Sequence, residues 1–248
     1  MRKLILYLLL VLGIMILWGS TGCKKSGTNC ISNSGDVIFE KRILADFDSI
    51  NVAGNVNLII TMDSINSVTV ESGKNIIDGI TTTVDNHLLS INNTNMCNWL
   101  RSYNIPLNVH ISAKNLQKIY YNASGNITTT NTLYAYSFGI IAEEGCGTID
   151  IDMNIWTGYF TLQQGTVNFI LRGRCAINSV FCGDYGLMDC SKLNTGYTFV
   201  TNQGSNDCYV QASQYLDATI KSIGNIYYSG NPDSLFTHYH GSGKIIEQ

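Results

Sequence analysis

Two carboxylates lie close together in the segment "TIDIDMN", at Asp150 and Asp152. Alternate residues of an extended strand share a face, so these side chains would lie about 7 Å apart. Carboxyl groups about 6.5–9.5 Å apart are the acid and base of inverting glycosidases. The simpler interpretation is an exposed acidic stripe with Ile149, Ile151 and Met153 facing inward, because a catalytic acid needs a partly desolvated, differently tuned neighbour.

Two histidines, His238 and His240 in "THYHG", would share a strand face in the same way and could bind one metal ion. No carboxylate or cysteine signal nearby completes a ligand set, so a solvated pair is the favoured interpretation. No G-x-S-x-G motif points to a nucleophilic serine. The sequence therefore predicts no catalytic residue, no metal site and no cofactor.

Eight cysteines in a chain with an export signal, described below, suggest an oxidising compartment. No two show the C-x-x-C spacing of redox or zinc sites. Cys190 and Cys208 are eighteen residues apart and could bridge neighbouring coils of a repeat structure. The alternative is that both are small buried apolar side chains.

Fourteen tyrosines are present, several of them in "IYYNAS", "LYAYSF", "TGYFTL" and "NIYYSG". Their rings could form an exposed platform on which sugar rings stack. The alternative is that tyrosine is simply a favourable strand residue whose hydroxyl reaches water. Carbohydrate binding is therefore one hypothesis for the function.

An Asp-Ser-apolar triplet occurs three times, at residues 48–50, 63–65 and 233–235. The triplet resembles a bacterial O-glycosylation sequon. Loop-forming Asp-Ser pairs explain so short a pattern equally well.

The elements that position these residues are predicted by a period of two. In "SINVAGNVNLII", the residues Ile50, Val52, Val56 and Leu58 fall in phase. Alternation of this kind predicts strands, and no ten-residue segment shows a convincing period of 3.6. We therefore predict an all-β fold.

A longer repeat is superimposed on the alternation. A glycine, usually followed by a polar and then an apolar residue, recurs about every twenty residues, at Gly125, Gly147, Gly165, Gly183, Gly204, Gly224 and Gly243. This period suits one coil of a solenoid. It predicts a parallel β-helix with short strands about 4.8 Å from the next coil and glycine at corners that need positive φ or tight turns. From residue 43 onward the chain would form roughly ten coils.

An antiparallel sandwich or barrel would also show alternation. Such folds use tight hairpins, whose Asn-Gly or Asp-Gly signals are almost missing here. Asp78-Gly79 is the exception. The β-helix is therefore the preferred prediction.

The N-terminus has the shape of a signal peptide. Arg2 and Lys3 precede an apolar run over residues 4–18, which is shorter than the roughly 20 residues of a membrane-spanning helix. Small residues then precede Cys23, resembling the lipobox of bacterial lipoproteins. We expect a signal peptide over 1–22, lipidation of Cys23, a tether over 23–40 and a β-helix domain over 41–248.

Several segments resemble the head GIN domain family of auto-transporter adhesins: residues 47–60, 75–91, 115–127 and 215–245. In the last of these, Tyr228, Gly230 and Pro232 match a Y-x-G-x-P pattern. The resemblance implies a right-handed parallel β-helix and a lipoprotein of a Gram-negative cell. The family has no catalytic motif to carry over.

These observations lead to the expectation of a non-enzymatic protein of the cell envelope, attached to the outer membrane by its lipid and acting as an adhesin that binds a glycan or a protein. The alternatives are a structural scaffold without a small ligand, or a polysaccharide-active enzyme that uses Asp150 and Asp152. Nucleic acid is excluded as a partner, because the net charge is −3 and no run of Lys or Arg exceeds two residues.

The lipid anchor is testable with Cys23→Ala. A diacylglyceryl group with an acylated amine buries many methylenes at about 0.8 kcal/mol each, so the parent protein should stay with membranes. We expect the variant to lose labelled fatty acid and to leave the membrane fraction. Equal labelling of both proteins would contradict lipidation.

Overall fold

The computed structural model describes residues 33–95 and 105–248. Within these ranges the protein is all-β, with seventeen strands and one short 3-10 turn over Ile77–Gly79. No described helix is long and apolar enough to cross a membrane. The predicted signal peptide, Cys23 and much of the predicted tether lie outside the described residues.

The strands alternate buried and more exposed residues along most of their length. Their bounds are β1 Val37–Arg42, β2 Ser49–Gly54, β3 Asn57–Met62, β4 Ser67–Gly73, β5 Ile80–Asp85, β6 Leu88–Asn93, β7 Asn108–Ala113, β8 Lys118–Ala123, β9 Ile127–Thr129, β10 Leu133–Leu162, β11 Thr166–Cys182, β12 Met188–Asn202, β13 Cys208–Gln211, β14 Tyr215–Ile220, β15 Ile226–Ser229, β16 Ser234–Tyr239 and β17 Ile245–Glu247. β1 includes residues 37–40, the last four of the predicted tether.

From β8 to β15 each strand pairs in parallel with the chain about twenty residues further on. Cys146 pairs with Thr166, and Met188 pairs with Cys208. The result is a parallel β-helix of about six turns with a period near twenty residues. The predicted fold class is confirmed, and the antiparallel sandwich is wrong for this part of the chain.

Three faces of stacked strand segments enclose the interior, one of them formed by residues 152–155, 172–175 and 192–195, and the other two are the flanks that continue to the C-terminal end. One flank, here called the first, ends with residues 197–202 of β12, then β14 and β16. The second flank ends with residues 188–189 of β12, then β13, β15 and β17. The long strands β10, β11 and β12 each run through both flanks.

The predicted number of coils, roughly ten, is wrong because the N-terminal part does not follow the repeat. β4 pairs antiparallel with β1 and β7, and β5 pairs antiparallel with β6. The turn between β5 and β6 uses Asn86 and His87, with φ of 47° and 63°. β2 lies between β6 and β8 in the sheet and pairs in parallel with both, although β3, β4 and β5 separate it from β6 in the chain. These residues cover the N-terminal end of the solenoid instead of adding regular coils.

The interior is a set of ladders in which one apolar side chain stacks on the equivalent residue of the next coil. One ladder on the second flank contains Ile149, Phe169, Met188, Cys208 and Ile226, all fully buried. Full burial of each large apolar side chain stabilises the fold by about 1.5–3 kcal/mol. Stacked coils therefore share one continuous core.

The repeated glycines are explained mainly by close approach between coils. Only Gly147 and Gly165 have the expected positive φ, at 146° and 100°. At Gly224 a Cβ atom would collide with the backbone carbonyl oxygen of Asn206, and at Gly243 with that of Gly224. A side chain at these positions would force two hydrogen-bonded coils apart.

The asparagines that follow two of these glycines link the coils. The Asn126 Oδ1 atom accepts a hydrogen bond from the backbone N–H of Thr148 at 2.9 Å. The Asn225 Oδ1 atom accepts one from the backbone N–H of Lys244, also at 2.9 Å. The Gly-Asn-Ile sequence thus provides a close approach, a link to the next coil and a core residue.

The role of these glycines is testable with Gly224→Ala. We expect a loss of about 1–3 kcal/mol in the free energy of unfolding, because overpacked sites cost this much. Gly196→Ala is the matched control, since its Cβ would first meet the Ala176 carbonyl oxygen at 3.3 Å. Urea unfolding midpoints measure both effects, and an equal loss in the two variants would contradict the explanation.

Candidate functional site

Four neighbouring aromatic side chains lie on the outward face of the first flank, near its C-terminal end. We call these residues the aromatic strip: Tyr197 and Phe199 of β12, Tyr215 of β14 and Phe236 of β16. Each is an outward residue of an alternating strand, so inward neighbours such as Leu216 fill the core. The coil register, not closeness in sequence, brings the four rings together.

Tyr215 is the central ring of the strip. Its ring centroid lies 6.3 Å from that of Tyr197, 5.5 Å from that of Phe199 and 5.4 Å from that of Phe236. These separations are within the range of favourable aromatic pairs. The rings therefore form one contiguous surface.

The exposure of the two phenylalanines decides between the interpretations of the aromatic residues. Phe199 is 41% exposed and Phe236 is 50% exposed. A tyrosine on a strand can place its hydroxyl in water, but phenylalanine has no polar atom to gain from exposure. Exposed contiguous aromatic surface is typical of interaction sites.

A carboxylate lies between the rings of the strip, and an imidazole borders the strip. Asp217 is the register partner of both Phe199 and Phe236 and so lies between them. Its Oδ1 atom is 3.4 Å from Nε2 of His238. The strip thus combines apolar ring faces with a hydrogen-bond acceptor that is partly open to solvent.

The tyrosine segments identified from the sequence do not form this strip. Tyr227 stacks on Tyr209 on the second flank, with centroids 5.0 Å apart. Its neighbour Tyr228 points inward and is buried. Tyr121 is also buried, its hydroxyl donates to the Gly125 carbonyl oxygen at 2.6 Å, and burial raises its pKa.

Sequence reasoning missed the residues of the strip because their contacts span different coils. Tyr197 and Tyr215 are eighteen residues apart but are direct register partners. The signal that could have found them is an aromatic residue at one phase of the twenty-residue repeat in consecutive coils.

Asp150 and Asp152 lie on the same outward face of β10 but have different partners. Asp150 forms an ion pair with Arg172 of the neighbouring coil. The backbone N–H of Asp152 donates to Thr129 Oγ1 at 3.2 Å. Ile149, Ile151 and Met153 are fully buried, as the acidic-stripe interpretation requires. This arrangement does not favour an acid–base pair.

Of the two histidines, only His238 lies within ion-pair distance of a carboxylate in the part of the chain that the structure describes. His238 contacts Asp217 across the coil boundary. Among residues 33–95 and 105–248, no group of three or more His, Cys, Asp or Glu side chains is placed to hold a metal ion. His238 thus borders the aromatic strip.

The hypothesis of a disulfide between Cys190 and Cys208 is wrong. Both residues are free and fully buried on adjacent coils, which agrees with the alternative of small apolar side chains. Burial raises the pKa of Cys190. A hydrogen bond with the Cys182 side chain, together with burial, raises the pKa of Cys208.

A family model described as "Putative auto-transporter adhesin, head GIN domain" matches residues 46–232. The chain belongs to the head GIN domain family. The resemblance seen in the sequence is therefore confirmed. No functionally curated protein matches the sequence.

Solved structures of similar proteins share the fold. A "putative adhesin" from Bacteroides fragilis is 19% identical, with a TM-score of 0.79 over 86% of this chain and 97% of that one. A "putative lipid binding protein" from Parabacteroides distasonis is 17% identical, with a TM-score of 0.67 over 87% and 98%. A "putative adhesin" from Parabacteroides merdae is 16% identical, with a TM-score of 0.56 over 87% and 98%. At these identities the similarity concerns the fold alone.

The burial of the thiols is testable by alkylation. We expect iodoacetamide at about pH 8 to modify the exposed Cys146 in the native protein but to leave Cys190 and Cys208 unmodified, since thiolates react and burial keeps these two protonated. After unfolding without reductant both should react. Peptide mass mapping measures the labelling, and a failure of either to react after unfolding would indicate a disulfide.

Proposed function

We propose that this protein is a non-enzymatic, lipid-anchored protein of the cell envelope that binds a glycan through the aromatic strip. The observation that carries the proposal is the pair of exposed phenylalanines, Phe199 and Phe236, packed on either side of Tyr215. Membership of the family described as "Putative auto-transporter adhesin, head GIN domain" supports a role in adhesion at the envelope.

The chemistry of the strip fits a sugar chain. The apolar faces of pyranose rings pack on aromatic rings, and the Asp217 carboxylate can accept hydrogen bonds from sugar hydroxyls. Successive coils repeat about every 4.8 Å. A sugar chain that lies along the solenoid axis would therefore contact an aromatic ring at each coil from Tyr197 to Phe236. Single-stranded nucleic acid also stacks on aromatic rings, but it needs a positively charged groove, and this chain carries a net charge of −3.

The strip lies toward the end of the solenoid opposite to β1, the first strand after the proposed anchor in the chain. Cys23 would hold the lipid, and about fourteen residues separate it from β1 at the N-terminal end of the solenoid. A segment of this length spans at most about 50 Å when fully extended. The strip is built from the last coils, and a tether that can be longer than six coils of about 4.8 Å each would leave it free to reach a ligand.

Two other functions make different predictions. A structural scaffold would leave the strip without a sugar ligand. A polysaccharide-active enzyme would need Asp150 as an acid or base, although Asp150 is paired with Arg172.

Glycan binding is testable with the purified mature protein on a glycan array. We expect a ligand whose affinity falls about tenfold or more in Tyr215→Ser and in the double variant Phe199→Ser/Phe236→Ser, because central aromatic contacts often contribute 2 kcal/mol or more. Tyr136→Ser is the control, since Tyr136 is exposed and is not part of the strip.

No bound glycan, or an equal loss of affinity in the Tyr136→Ser control, would contradict the proposal. Shortening of a bound polysaccharide that stops in the Asp150→Asn/Asp152→Asn double variant would instead favour the enzyme. A matching circular dichroism spectrum and unfolding midpoint in each variant would show that the fold is intact.

A further inference from the structure

The three Asp-Ser-apolar triplets are equivalent in sequence but differ in exposure. In residues 63–65 and 233–235 all three residues are exposed, with Ile65 62% and Leu235 44% exposed. In residues 48–50 the aspartate and serine are only partly exposed, and Ile50 is fully buried. An enzyme that reads the triplet on the folded protein could contact two of the three copies.

Ser64 lies between β3 and β4, and its aspartate neighbour contacts it directly. The Asp63 Oδ1 atom accepts hydrogen bonds from the Ser64 backbone N–H at 2.6 Å and from the Ser64 hydroxyl at 3.2 Å. The carboxylate is therefore already beside the hydroxyl. Ile65 is 62% exposed, so an approaching enzyme could contact its side chain.

Ser234 is the first residue of β16, the last strand of the first flank. It is an outward residue, and its backbone N–H donates to the Gln214 carbonyl oxygen at 3.0 Å. All six residues of β16 are exposed. The outer side of the strand is therefore accessible to an approaching enzyme.

Ser49 has the same local hydrogen bond but a different setting. Its hydroxyl donates to Asp48 Oδ1 at 2.8 Å. β2, which contains Ser49 and Ile50, is hydrogen-bonded to β6 on one side and β8 on the other. Access to this triplet would require two pairs of strands to separate.

We propose that Ser64 and Ser234 are acceptor sites for an O-linked glycan and that Ser49 is not. The donor is a lipid pyrophosphate-linked oligosaccharide, and an envelope glycosyltransferase catalyses the transfer. The serine Oγ atom forms a bond to the anomeric carbon of the first sugar. The bond from that carbon to the pyrophosphate oxygen breaks, the lipid pyrophosphate leaves with the electron pair, and the hydroxyl proton passes to a carboxylate base.

The modification at Ser234 has a consequence for the aromatic strip. Ser234 is the register partner of Tyr215 and lies two residues before Phe236. A glycan on Ser234 would therefore begin at the edge of the strip. Binding measurements on the strip should use protein from a host without the transferase, so the two proposals can be tested separately.

The experiment is intact mass spectrometry of the mature protein from its native host. We expect two glycan increments relative to the Ser64→Ala/Ser234→Ala double variant, which retains any lipid and so cancels its mass. Each single variant should lose one increment, and the matched control Ser49→Ala should keep both. Peptide mapping should place the sugars on Ser64 and Ser234.

A second pair of variants tests recognition of the triplet without removing the serine. Ile65→Gln should abolish the increment at Ser64 and leave the unfolding midpoint unchanged, because Ile65 is 62% exposed. Leu235→Gln should abolish the increment at Ser234 but lower the midpoint, because Leu235 is the register partner of the buried Leu216. An unmodified Ser64 or Ser234 in the parent protein, or an increment that disappears in Ser49→Ala, overturns the proposal.

Discussion

The parallel hydrogen bonding of each coil to the next is the constraint on which the rest of this structure depends. It requires the backbones to approach closely at every corner, and for this reason glycines such as Gly224 and Gly243 recur where a Cβ would collide with a carbonyl oxygen. It also places residues about twenty apart in direct contact. The core ladders, the Asn225–Lys244 link and the aromatic strip all result from this one register.

The same constraint makes the two ends of the solenoid physically different. A coil buries its inward side chains only when another element covers it. At the N-terminal end, β1, β4 and β5 run antiparallel to their partners and cover the interior. At the C-terminal end, Leu235 lies beside the fully buried Leu216 but is itself exposed. The last coil thus combines weak burial with high accessibility, and it carries Phe236 and Ser234.

The repeat was predictable wherever each coil follows the previous one in sequence, which is the region from about Gly125 onward. The N-terminal part was not predictable, because β2 pairs with β6 and β8 in an order that no local period records. The functional site was difficult to predict for the same reason, because its contacts join residues of different coils. Residues two apart, such as Asp150 and Asp152, were easy to recognise, but the partner of Asp150 is Arg172 on the next coil. Adjacent tyrosines were misleading for a simple reason: Tyr227 faces outward and Tyr228 inward.

The aromatic strip is costly for a protein that has only 13% charged residues to keep it soluble. Exposed phenylalanines on an accessible sheet near an unpaired edge favour association with other chains. Asp233, His238 and Lys244 lie at or near this edge and oppose the addition of another strand, since polar and charged side chains there disfavour edge pairing. Replacing Phe199 and Phe236 with polar residues would also reduce association with other chains, and it would remove no side chain from the core. A surface that resists the addition of another strand but keeps its aromatic rings supports the proposal that a ligand contacts those rings.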